Sequence, residues 1–225
     1  MQRIAVIAFI AAGMALAAGA QTPVSTIQST GKATVDTSPE YVDFWFHKRV
    51  ESATFAEAMK SVLDFGPALR KKMAELQYSA FDLTLSGPAL PNLTLKEAWV
   101  SARVRFTMNT FSNIETGPGL FAALCDDMAG LSETLECSAE GPFLNVGNPK
   151  AIEQTAVGLA TEDALPIAQA TAELMNAQIA AVEHVDIEEC VWNEDPEIKA
   201  AQPDMRRLTC TARVHITYAF SVPGQ

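Results

Sequence analysis

Five alanines, Ala156, Ala160, Ala164, Ala168 and Ala172, recur at every fourth position of the stretch "NPKAIEQTAVGLATEDALPIAQATAELMNAQ". Residues four apart on a helix share one face. A face built only of methyl groups puts almost no bulk between the helix and its neighbour. This helix must therefore lie close against a sheet or a second helix. The row drifts slowly around the axis, because four residues overshoot a turn of 3.6. The stretch predicts a long helix over about 149–178, bent at Pro166, which has no N–H for the carbonyl of Glu162.

A second main helix is predicted over about 54–76, in "TFAEAMKSVLDFGPALRKKMAELQ". Thr54 and Glu57 form a capping box at its start. Phe55, Met59, Val62, Leu63, Leu69, Met73 and Leu76 keep helical spacing, and Gly66-Pro67 should break or kink it. A short helix over about 118–130 has Pro118 near its first turn and Gly130 near its end.

Strands fill most of the rest. "STGKATVD" and "EYVDFWFHKRVES" read as strand, turn, strand, with Pro39 in the turn. Val42, Phe44 and Phe46 face one way; Tyr41, Asp43, Trp45 and His47 face the other. In "AWVSARVRFTMNTF" the apolar face is Val100, Ala102, Val104, Phe106 and Met108. "FDLTLS" is a further strand, and "TLECSAEGPFLNV" is one that loosens at Gly141-Pro142. "VEHVDIEECVWN" and "LTCTARVHITYAF" form a closing hairpin across the acidic loop "EDPEIKAAQPDM". Strands and helices are interspersed without a strict βαβ winding. The expected class is α+β, with antiparallel-rich sheets packed against the two main helices and the short one. Residues 21–225 make one domain; a seam between two subdomains, if there is one, falls near 88–97.

The N-terminus, "MQRIAVIAFIAAGMALAAGAQTP", has the basic Arg3, an apolar run from Ile4 to Ala18, and the small-x-small pattern Ala18-Gly19-Ala20. This is a secretory signal over residues 1–20, cleaved near Ala20-Gln21. No later stretch of the mature chain is long and apolar enough to span a bilayer. The mature protein is expected in the periplasm or outside the cell. Loss of Arg3 leaves 15 basic side chains against 27 acidic, a net charge of −12. Such a surface repels phosphate backbones and anionic membranes, which excludes nucleic acid as a partner.

The segment "STGKATVDTSPEYVDFWFHKRVESATFAEAM" resembles the opening of the SIMPL-domain family: glycine-containing strand, turn, second strand, alanine-rich helix. "GPFLNVGNPKAIEQTAVGLATEDALPIAQATAELM" is similar to that family's second signature, with its Asp163-Ala164 pair in the alanine helix. "TCTARVHITYAF" resembles the last strand. The likeness covers residues 27–221. It implies an exported or envelope-associated, oligomeric protein with a link to oxidative-stress tolerance and no catalytic residue to carry over. Gly66-Pro67, Pro166 and the four cysteines depart from the pattern.

Cys125, Cys137, Cys190 and Cys210 are an even set in an exported chain, where thiols oxidise and pair. Four cysteines allow three connectivities. Sequence neighbours suggest Cys125 with Cys137 and Cys190 with Cys210, the second pair cross-linking the last two strands. Strict alternation places Cys190 with His184, Asp186 and Glu188, away from the apolar face of Cys210; a bulge at Glu188-Glu189 would restore the match. No C-x-x-C is present, and Asp126-Asp127 beside Cys125 would raise a thiol pKa, where a peroxidatic thiol needs it lowered. Cys210 and His215 are five apart and face opposite ways in a strand, so they cannot share a metal. His184, Glu188 and Cys190 lack the spacing of a structural zinc motif. "TGPGLF" could seat an anion, though a helix cap explains it equally well. Asn92-Leu93-Thr94 is a glycosylation sequon by pattern.

No catalytic, cofactor or metal set emerges. The expected function is therefore an exported cell-envelope protein without catalytic activity, acting by self-assembly or by binding an envelope protein partner, with a role in stress tolerance. The alternatives are a periplasmic thiol-based antioxidant and a small-ligand carrier built on Phe44, Phe46 and Phe106.

Overall fold

The computed structural model describes residues 25–78, 80–90, 94–192 and 206–222. Strand β1 (Thr26–Thr37) pairs antiparallel with the last strand, β7 (Leu208–Ser221), which in turn pairs with β6 (Gln178–Trp192). The two ends of the domain thus share one three-stranded sheet, β1-β7-β6. Between them lies a four-stranded antiparallel sheet in the order β3-β4-β2-β5, made of β2 (Tyr41–Glu51), β3 (Asp82–Ala89), β4 (Glu97–Thr107) and β5 (Ser138–Asn145). The protein is α+β, as the interspersed pattern predicts. The turn around Pro39 does not close a hairpin. It carries the chain from one sheet into the other.

Each sheet has its own apolar core. Phe44, Phe46, Val100, Val104 and Phe106 of the four-stranded sheet pack against helix α1 (Phe55–Leu63), helix α2 (Phe65–Glu75) and helix α3 (Gly117–Thr134). Ile27, Cys210, Val214, Ile216 and Tyr218 of the three-stranded sheet pack against helix α4 (Pro149–Leu174). Division therefore falls at the crossings near 38–40 and 146–148. The expected seam near 88–97 instead joins β3 to β4, neighbours over one core.

The helices follow the sequence with three corrections. Thr54 caps α1, its hydroxyl accepting from the Glu57 N–H. The break foreseen at Gly66-Pro67 lies earlier, at Asp64. Pro67 then sits in the first turn of α2, where a missing N–H costs nothing. The buried positions Ala58, Val62, Phe65, Leu69 and Met73 keep helical phase across the break, which turns Leu63 outward. The short helix is longer than expected, running to Thr134, because Gly130 faces open space within it and does not end it.

Helix α4 runs unbroken through Pro166 and stops at Leu174, four residues short of the expected end. Pro166 is exposed, so the freed carbonyl belongs to the solvent side of the helix. The stop is a Schellman closure: Asn176 takes a left-handed conformation and the Ala177 N–H donates to the Ala172 carbonyl. Gln77 ends α2 and Glu136 ends α3 in the same way, with the N–H groups of Tyr78 and Cys137 donating to Met73 and Ser132.

All five alanines of the row are buried. They let α4 settle onto β1 at Gly31. A β-carbon added there would lie 1.8 Å from the Ala160 carbonyl oxygen and 2.7 Å from the Ala164 nitrogen. Two hydrogen bonds hold the contact: the Ser29 hydroxyl donates to the Ala164 carbonyl at 2.8 Å, and the Lys32 N–H donates to the Asp163 carboxylate at 3.0 Å. Backbone cannot yield as a flexible side chain can. Gly31→Ala should therefore lower folding stability by about 3 kcal/mol or more, at the upper end for overpacking. Urea unfolding of the two proteins measures it; a loss below about 0.5 kcal/mol, the surface range, would refute the close contact.

Candidate functional site

The three-stranded sheet has a polar face and a helix face. On the polar face the rings and carboxylates connect across all three strands. The Thr30 hydroxyl lies 2.8 Å from His215 Nδ1, and His215 Nε2 lies 3.0 Å from Glu188 Oε2. Arg213 reaches Glu188 and Glu189 at 3.8 and 3.5 Å. Thr34 and Thr211 share a hydrogen bond, and Arg207 pairs with Asp36. A hydroxyl, an imidazole and a carboxylate in a row have the order of a nucleophile, base and orienter. Acyl transfer also requires N–H donors aimed at the developing oxyanion. Here β7 is the central strand, and its N–H groups are taken by the ladders on both sides. The row is exposed, and its contacts link the three strands.

Cys210 lies on the opposite face, fully buried beneath α4, so it and His215 point away from each other as the five-residue spacing requires. Cys190 reaches the same face as Cys210 because the register of β6 slips between Ile187 and Glu189, leaving Glu188 as the extra residue. That is the bulge the sequence calls for. The two sulfur atoms are 3.5 Å apart, as free thiols. Cys190 does not join His184 and Glu188: the slip sends Glu188 to His215 and Cys190 to the core side. Among the described residues no group of three His, Cys, Asp or Glu gathers as a metal would need.

Cys125 and Cys137 do not meet. The Cys137 N–H donates to the Ser132 carbonyl, which sets Cys137 level with the last turns of α3. Ser132 lies seven residues along the helix from Cys125, roughly 10 Å at 1.5 Å per residue, beyond the ~7 Å that a disulfide spans between α-carbons. The expected pairing of these two is corrected accordingly. Both pack at the margin of the larger core. Phe44, Phe46 and Phe106, named for a ligand carrier, are buried in that core, with Phe44 and Phe106 edge to face at 6.3 Å. A half-open cavity of about 540 Å³ lies elsewhere, lined by Glu40, Tyr41, Met108, Phe111, Asn113 and Arg206 among others, at the crossing from β1 to β2. Pro118 of "TGPGLF" lies at its rim. Asn92 of the sequon lies outside the described residues.

The surface that stands out is the helix face of β6. Its partners on β7, Tyr218, Ile216 and Val214, are buried under α4. The β6 residues opposite them, Val182, Val185 and Ile187, are 54, 43 and 42 % exposed. Because α4 lies over β1, it does not reach them. At one end the gap narrows: the Trp192 indole N–H donates to Glu153 of α4 at 3.0 Å. Farther along the same flank of α4, Leu165 is also exposed. The result is an apolar strip between a helix flank and an edge strand.

The other sheet edges are each interrupted at one point among the described residues. On β1, Asp163 takes the Lys32 N–H. Edge strands β3 and β5 each carry a Gly-Pro pair, Gly87-Pro88 and Gly141-Pro142, at which the register shifts. Proline offers no donor to an incoming strand, and a bulge turns the edge aside. On β6 the ladder slips three times, which roughens its edge; the apolar strip beside it has no such guard. Sequence reasoning could not find this surface, because β6 alternates like any half-buried strand. Only the lateral position of α4 decides which of its residues are covered.

No family model matches the chain, and no curated protein matches it.

Burial raises all four thiols. Desolvation is the largest cause in each case, and it pushes Cys210 to about 12. Tyr78 is likewise pushed to about 12 by burial and by its hydrogen bond to Asp127. These groups hold their protons more tightly folded than unfolded. Their contribution to stability is whole below the unfolded values, ~8.5 for a thiol and ~10 for tyrosine, and is lost as pH rises toward the folded ones. Reduced protein should therefore weaken steadily in urea above about pH 8.5. Cys210→Ala should flatten the early part of that loss and Tyr78→Phe the part above about pH 10. A stability flat to about pH 11 would contradict the burial of both groups.

Proposed function

We propose that this is an exported protein of the SIMPL-domain type that works in the cell envelope by association, first with copies of itself, and not by catalysis. The single observation that carries this reading is the uncovered strip of Val182, Val185 and Ile187 on an edge strand. Contiguous exposed apolar surface on a soluble domain marks a contact site. The sequence pattern of an export signal and the family resemblance support an envelope location for that contact. No helix among the described residues is long and apolar enough to cross a membrane. A stress role follows from the resemblance alone. The antioxidant reading is weakened by the thiols, since a peroxidatic cysteine needs a lowered pKa and all four here are raised.

Light scattering on the mature protein at tens of micromolar should give a mass of more than one copy. Val185→Lys places a charge on the strip at an exposed position, so it should return the protein to a monomer while shifting stability by no more than about 0.5 kcal/mol. A wild-type monomer throughout that range would sink the reading.

A further inference from the structure

Cys190 and Cys210 are the two thiols that the fold brings together. They sit diagonally across β6 and β7: Cys190 opposes Ala212, and Cys210 opposes Trp192. Both side chains face α4, and the sulfur atoms are 3.5 Å apart. Bond formation needs an approach of about 1.5 Å. Strand β6 can supply it, because it is held on one side only and its ladder is already slipped beside Glu188. Cys190 is half-buried and Cys210 fully buried, so an outside reagent meets Cys190 first.

We propose that Cys190 and Cys210 are a disulfide site, closed after export by exchange with a disulfide donor, and that the bridge staples β6 to β7 and fixes the apolar strip in place. The inference rests on the exported reading of the chain. The Cys190 thiolate attacks one sulfur of the donor disulfide and expels the first donor thiolate, leaving a mixed disulfide. The Cys210 thiolate then attacks Cys190 Sγ and expels the second. The two protons lost by the cysteines end on the two donor thiols, so the protein loses two electrons and the donor gains them. Exchange quickens with pH, because burial disfavours both thiolates. Closing a loop of this length should strengthen folding on the order of a hundredfold. Cys125 and Cys137, held apart by α3, stay as thiols.

The test uses the full mature chain, equilibrated with a mixture of oxidised and reduced glutathione, then unfolded, alkylated and digested. The expected result is an intact mass lower by two hydrogens, alkyl groups on Cys125 and Cys137 only, and one linked peptide pair containing Cys190 and Cys210. Amide exchange in β6 should slow at least about tenfold on oxidation, an effect lost in the Cys190→Ser, Cys210→Ser double variant. Four alkylated cysteines, or a bridge to Cys125 or Cys137, would overturn the proposal. Oxidation is read on the single chain, so its outcome is separate from assembly. A bridged monomer would remove the association reading and leave this one; an assembling protein with four thiols would do the reverse.

Discussion

Everything about the three-stranded sheet depends on how closely α4 lies on β1. At Gly31 the helix backbone occupies the space a side chain would need, and the hydrogen bonds from Ser29 and Lys32 lock the two together. The alanine row makes this approach possible, and the absence of a β-carbon completes it. The gain is a dry layer over Ile27, Val214 and Ile216. The consequence is lateral: a helix centred on one side of a three-stranded sheet leaves the other side bare.

That asymmetry organises the rest. The chain enters through β1, builds a complete second sheet with its own core, and returns through α4, β6 and β7 to close the first. The inserted sheet is finished on both edges by glycine-proline bulges. It is pinned outside its core by Asp43, buried, which accepts two hydrogen bonds from Arg105 at 2.7 Å and one from Asn145. The terminal sheet is covered by α4 over β1 and β7. Its open side carries Val182, Val185 and Ile187, and Trp192, bonded to α4, marks the boundary of the covered zone that holds the thiol pair. Association and disulfide chemistry, if both hold, act on the same strand.

Local sequence carried the local structure. Period-two alternation located the strands, and the alanine period located α4. A conflict of faces at Cys190 located the Glu188 bulge, because a sulfur bound for the core cannot sit on a polar stripe without a slip. What stayed hidden was set by long-range pairing or by unusual caps. Nothing in "STGKATVD" says that it pairs with residues almost two hundred positions away in place of its neighbour β2. The helix ends at Glu136 and Asn176 differ from the expected ones because a left-handed closure is expected of glycine. Both have consequences: the stop at Asn176 lengthens β6, and the closure at Glu136 carries Cys137 away from Cys125. The bare strip was hidden for a similar reason, since exposure on β6 depends on where a helix lies across the sheet.

The most direct measurement is hydrogen exchange followed by mass spectrometry on the wild-type protein at two concentrations far apart. The account predicts that amides of β6 around Val182 to Ile187 exchange more slowly in the concentrated sample, while β1, whose face α4 already covers, exchanges at the same rate in both. Equal exchange in β6 at both concentrations, or protection appearing on β3 or β5 instead, would contradict it.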